Sequence, residues 1–199
     1  MPRKNPAVIA YHLVWTAYGT WLPNDPRGSG SRRVASPDLA ELGELHYGRR
    51  KVQPPPSTVR GFNDRAEPRL QFPVIRFDPS RIETVAAGFE SCIFQHRYTC
   101  YACAVLPDHV RILIRKHRDR AEEMIENLQQ GSRLQLATEQ RVPAAHPVWT
   151  LGGYRRFLDS PDHVRTVIRY IEQNPTRAGL PSQQWPFVHP YDGWPYAKR

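Results

Sequence analysis

A chain of 199 residues is long enough to bury a core and short enough for a single domain, and its 28 Lys and Arg against 19 Asp and Glu leave a net charge of +9. That excess favours a polyanionic partner, nucleic acid first, because each phosphate neutralised releases condensed counterions. The longest apolar run, Val8 to Trp15, is broken by His12 and falls well short of the roughly 20 residues of a membrane span, and no apolar segment backs the basic start Met-Pro-Arg-Lys-Asn-Pro as it would in a secretory leader; the expectation is a cytoplasmic protein with no membrane partner.

Val8 to Thr16 alternates, with Ile9, Tyr11, Leu13 and Trp15 on one side and Ala10, His12, Val14 and Thr16 on the other, and reads as the first strand. Gly and Pro punctuate the next stretch, which carries Arg27, Arg32 and Arg33; the chain then stays Pro-rich to Phe77, with a second basic cluster at Arg49, Arg50 and Lys51. Residues 23–77 are therefore expected to be a basic insertion, either a DNA-contacting arm or a floppy one.

Asp78-Pro79 supplies a cap followed by proline at the first helical position, and Ile82, Val85, Ala86, Phe89 and Ile93 recur at helical spacing, predicting a helix over 79–96. Tyr98 to Val105 and His109 to Arg115 read as a hairpin turned by Leu106-Pro-Asp108. Cys100 and Cys103 have the spacing of half a zinc site, but there is no second pair, and three residues along a strand send the thiols to opposite faces; they read as core thiols. Ala121, Met124, Ile125 and Leu128 mark a second amphipathic helix ending or bending near Gly131.

Val148 to Phe157 can supply a fourth strand, and Ser160-Pro161 repeats the cap-then-proline start for a last helix reaching about Asn174. The order is strand, helix, strand, strand, helix, strand. The expected fold is α+β, a ferredoxin-like βαββαβ sandwich with an antiparallel sheet, an appended C-terminal helix, the long insertion after the first strand, and residues 181–199 as an irregular arm, all within one domain over 1–199.

On the His109 strand, His109, Arg111 and Leu113 share one face and Val110, Ile112 and Ile114 the other. In the last helix Val164, Val167, Ile168 and Ile171 form the core stripe, while Tyr170 lies on the flank in line with Asn174. The Leu106-Pro-Asp-His-Val-Arg-Ile strand, the Tyr170-Ile-Glu-Gln-Asn-Pro-Thr-Arg-Ala-Gly-Leu segment, Tyr11-His12 and Trp149 together resemble the single-tyrosine transposases of small insertion sequences, enzymes named for a His-hydrophobe-His motif, and in particular their REP-associated branch.

The resemblance implies that Tyr170 is a nucleophile attacking single-stranded or hairpin DNA, that His109 and Asn174 hold a divalent metal, Mg²⁺ or Mn²⁺, and that a homodimer is open. A phenol ionises near ~10, so it attacks slowly at neutral pH until a cation polarises the phosphate. Here the second histidine of the motif is Arg111, whose guanidinium has no lone pair for a metal. Three outcomes remain open: a weakened site of His109, Asn174 and water, with His12 a conceivable substitute ligand; a metal-poor site in which Arg111 clamps the phosphate; or a catalytically impaired protein that binds DNA through Arg27, Arg32, Arg33, Arg49, Arg50 and Lys51. Each residue also has a plain alternative. His109 can be an ordinary strand histidine, Tyr170 a rim residue, and Asn174 the start of a short helix closed by Gly179. The rival class is a non-catalytic nucleic-acid module that stacks bases on exposed Tyr11, Tyr98 or Tyr101.

Overall fold

The structure, a computed structural model, describes residues 7–34 and 36–196, so the basic start at residues 1–6 and the last three residues of the expected arm lie outside the described residues. Strand β1 (Ala10–Thr16) is followed by short helix α1 (Pro37–Ala40), α2 (Pro56–Ala66), α3 (Pro79–His96), β2 (Cys100–Val105), β3 (His109–Arg115), α4 (Ala121–Thr138), β4 (Tyr154–Leu158), α5 (Pro161–Glu172) and α6 (Asn174–Arg177). All strand pairs are antiparallel and the order across the sheet is β2-β3-β1-β4, the ferredoxin-like arrangement expected from the element sequence.

The chain divides into two compact units, 1–16 with 77–199, and 17–76. The second is close to the expected insertion, but it begins six residues earlier and has a small core of its own, in which Leu22, Phe62 and Ala66 are buried against Leu39, Leu42 and Leu70. The expected single domain is thus a sheet unit with a separately packed insert.

In the sheet unit the expected helix starts carry their signals. Asp78 accepts from the Arg81 N–H at 2.9 Å with Pro79 behind it, and Ser160 accepts from the His163 N–H at 3.3 Å with Pro161 behind it. Helix α4 departs from expectation by running straight through Gly131. The reason is close packing: a Cβ on Gly88 of α3 would lie 2.5 Å from the Ser132 Cα, so Gly131 and Gly88 mark a helix crossing and not a helix end. The fourth strand begins at Tyr154, six residues later than read, because Val148 and Trp149 turn into the core; the Trp149 indole donates to Ser132 Oγ at 3.0 Å and its ring meets those of Trp15 and Phe77.

Helices α3 and α4 cover the sheet face that bears Leu13, Trp15 and Ile112, with Trp15 edge-on to Phe89 of α3. Helix α5 covers part of the other face: Val164, Val167 and Ile171 pack with Ala10, Ala102, Ala104, Leu113 and Leu158. The arm after Gly179 lines up beside β2, where the His189 N–H donates to the Cys100 carbonyl at 2.8 Å and Gln183 exchanges hydrogen bonds with the Val105 backbone. All three cysteines are buried free thiols, and burial pushes the Cys92 thiol up to about 12 and those of Cys100 and Cys103 up as well.

Candidate active site

Strand register determines which side chains share the face that α5 only half covers. Val14 is opposite both Arg111 and Tyr154, and His12 is opposite both Leu113 and Arg156, so two adjacent rows run across β3, β1 and β4. Directly opposed residues point to the same face, and therefore Arg111, His12, Tyr154 and Arg156 stand together with His109. Ala10, Leu113 and Leu158 of this face pack against α5, while His109, Arg111, His12, Tyr154 and Arg156 make up its polar part.

Tyr170 projects from the last turn of α5 over that boundary, 38% exposed, off the buried stripe as its position on the helix predicts. Its ring lies 5.2 Å from the Arg111 guanidinium carbon and edge-on to His12, with ring centroids 6.4 Å apart. Arg111 Nε donates to His109 Nε2 at 3.3 Å, and His109 Nδ1 faces the Asp108 carboxylate at 2.7 Å. An accepting Nε2 puts the ring proton on Nδ1, which donates to the Asp108 carboxylate, so the carboxylate fixes the imidazole and the imidazole steadies the guanidinium. His109, Arg111 and Tyr170 therefore converge.

Asn174 is placed differently. The main helix stops at Glu172 and Asn174 opens α6, which Gly179 closes at φ +74°, and its side-chain amide donates back to the Tyr170 carbonyl. It braces the backbone under the tyrosine.

The donor set does not fit a resident divalent cation. The His109 nitrogen that would coordinate it already accepts from a permanently charged guanidinium, and among the described residues no group of three His, Cys, Asp or Glu could hold a metal.

His12 is the residue that sequence reasoning undervalued. It is 6% exposed, its Nε2 is buried with no hydrogen-bond partner, and burial, with Arg111 and then Arg156 adding to it, lowers its pKa to about 4. It is a neutral imidazole at physiological pH, flanked by two guanidiniums. Tyr154 and Arg156 were missed because their face depends on the β4 register, which the misplaced strand start concealed.

Of the basic residues expected to meet DNA, Arg32, Arg33, Arg49, Arg50 and Lys51 are exposed. Arg27 is not available: its guanidinium makes a two-point contact with the fully buried Asp25 carboxylate, at 2.6 and 2.8 Å, and stacks 3.7 Å over Trp21, which makes it a structural tie within residues 17–76. The tyrosines of the rival reading are buried as well. Tyr98 donates to Asp119 at 2.8 Å and Tyr101 to Asp192 at 3.1 Å, while Tyr11 meets Phe157 edge-on, so none offers a free ring to a base.

No protein-family model matches the chain, and no curated protein does. Among solved structures, a REP-associated tyrosine transposase bound to a REP hairpin superposes with a TM-score of 0.46 at 11% identity, over 94% of this chain and 80% of that one. A protein of Deinococcus radiodurans described as a candidate transposase superposes with a TM-score of 0.38 at 13% identity, over 87% and 95%. The chemistry of the site rests on this chain's own residues. No helix of the described residues is long and apolar enough to cross a membrane.

Proposed function

We propose that the half-covered sheet face binds single-stranded or hairpin DNA and that Tyr170 cleaves and rejoins it, as a transposase does, with Arg111 in place of a metal. The observation that supports this most is the convergence of a partly exposed tyrosine with a guanidinium that two side chains steady and no carboxylate among the described residues neutralises, in a chain of net charge +9. Arg111 holds the non-bridging oxygens of a phosphodiester by its free N–H groups and lowers the cost of the extra negative charge as the phosphorus becomes five-coordinate. The Tyr170 Oη–P bond forms and the P–O3′ bond breaks; the phenol proton leaves to solvent and the departing 3′ oxygen takes one up. The products are a 5′-phosphotyrosine and a free 3′ hydroxyl. Attack by a second 3′ hydroxyl on the stored ester reverses the step and joins a new strand with no ATP.

A hairpin oligonucleotide labelled at its 3′ end tests this. The label is expected to migrate with the wild-type protein under denaturing conditions, while a 5′ label is released. Tyr170→Phe removes only the nucleophilic oxygen and should abolish the adduct with binding intact. An adduct surviving in Tyr170→Phe would move the chemistry elsewhere. A second reading, a DNA-binding protein that no longer cuts, is favoured by the misfit of the donor set to a cation; it predicts binding with no adduct from either protein.

A further inference from the structure

The polar end of the sheet face carries more than the tyrosine chemistry uses. Tyr154 is 64% exposed on the edge strand β4, with no ring or hydrogen-bond partner for its side chain among the described residues, and stands in the row of Val14 and Arg111, two strand spacings or about 10 Å from the latter. Arg156, in the next row beside His12, has no carboxylate within ion-pair distance among the described residues, and neither has Arg111. Arg155, by contrast, points to the opposite face and pairs with Glu122 at 2.8 Å. Neighbouring strand positions thus differ: one arginine is neutralised within the fold, and the other is left charged on the site face.

Two unneutralised guanidiniums flank a histidine whose Nε2 is buried without a partner. A buried polar nitrogen left unpaired costs stability, and like charges held near each other cost more; one anion bound between Arg111 and Arg156 with an oxygen on His12 relieves both. An exposed ring at this distance from an anion site, over an apolar floor at Val14, suits a flat apolar group attached to that anion.

We propose that Arg156, His12 and Tyr154 form a nucleotide subsite beside Tyr170, in which Arg156 and Arg111 grip one backbone phosphate over His12 and the adjoining base stacks on Tyr154. This rests on the reading that the face handles DNA, and it adds the reason the substrate is a single strand. A base can lie on a sheet-face ring only when it is splayed out of its duplex. Because β4 is an edge strand, the bound strand leaves over the sheet edge without crossing α5.

The test is fluorescence anisotropy with a labelled thymidine homopolymer, free or annealed to its adenine complement, on the full chain carrying Tyr154→Ala, Tyr154→Phe or Arg156→Gln. Both positions are exposed, so the variants keep the fold, and the phenylalanine variant keeps the ring. Stacking on Tyr154 predicts about tenfold weaker single-strand binding for Tyr154→Ala, a change of no more than about twofold for Tyr154→Phe, and little effect of either on the duplex. Arg156→Gln should weaken single-strand binding and lower its salt slope by about 0.7. Single-strand affinity that ignores Tyr154 and Arg156 in a protein still forming the Tyr170 adduct overturns the subsite and leaves the cleavage reading standing. Affinity that depends on both residues in a protein forming no adduct upholds the subsite and overturns the nucleophile. Equal loss for single strand and duplex overturns the stacking.

Discussion

His12 ties the site to the stability of the fold in a way that can be measured without any substrate. Its pKa falls from the ordinary 6.5 to about 4, through burial first and then the charges of Arg111 and Arg156. Above about pH 6.5 the imidazole is neutral whether the chain is folded or not, and full stability is present. Between 6.5 and about 4 the unfolded chain takes up a proton that the folded chain refuses, so stability is lost as pH falls; below about 4 both states are protonated and the slope vanishes. The linkage amounts to about 2–3 kcal/mol by about pH 4.5, out of a maximum of about 3–4 kcal/mol at about 1.36 kcal/mol per unit. Urea unfolding followed by tryptophan fluorescence at about pH 7 and about pH 4.5, for wild type and His12→Gln, isolates it, since carboxylates such as Asp78, Glu139 and Asp192 titrate in both proteins and cancel. The wild type should lose about 2–3 kcal/mol more than the variant over this interval. Parallel losses in the two proteins would refute a neutral buried His12.

Arg111→His rebuilds a His-Val-His strand, but it removes the guanidinium that meets both His109 and the Tyr170 ring; adduct formation should fall about tenfold or more, and a gain with Mn²⁺ would instead mean an eroded metal site. Gly88→Ala places a methyl group against the Ser132 backbone and should cost about 1–3 kcal/mol in thermal unfolding, with an unchanged midpoint refuting the tight α3–α4 crossing. Neutralising Arg32, Arg33, Arg49, Arg50 and Lys51 should lower the salt slope of single-strand binding by about 0.7 for each phosphate that is no longer neutralised, whereas Arg27→Gln should leave that slope alone and destabilise residues 17–76, since it strands the buried Asp25 carboxylate.

The sheet unit was legible because its signals are local. Asp78-Pro79 and Ser160-Pro161 are caps whose geometry depends on three or four residues, and the alternation in β1 and β3 assigned His12, His109 and Arg111 to their strand faces before any strand was paired. What was not legible depends on tertiary contact. Gly131 breaks isolated helices, but here it makes room for α3; Val148 and Trp149 have strand-forming side chains, but the Ser132 hydroxyl and the rings of Trp15 and Phe77 draw Trp149 out of the sheet. The insertion was read as an arm because its prolines hide a small core in which Leu22 meets Phe62 and Ala66 of α2 from far away along a polar chain. Arg27 looked like any surface arginine in its Pro- and Gly-rich loop, and only the position of Asp25 beneath it shows otherwise. The metal expectation came from a family pattern in which the second strand histidine is present; the side chain at that position here carries its own charge and takes over the His109 nitrogen.

Whether Tyr170 carries the DNA can be read directly from the covalent product. After incubation with a hairpin oligonucleotide, nuclease trimming and trypsin digestion, cleavage after Arg169 and Arg177 yields a peptide covering residues 170–177, with Tyr170 its only tyrosine. Mass spectrometry should find this peptide heavier by a nucleotide joined through its 5′ phosphate, with fragment ions placing the added mass on Tyr170 and none in Tyr170→Phe. The unmodified peptide alone, from a protein shown in the same sample to have cut the strand, or the added mass on another residue, would contradict Tyr170 as the nucleophile.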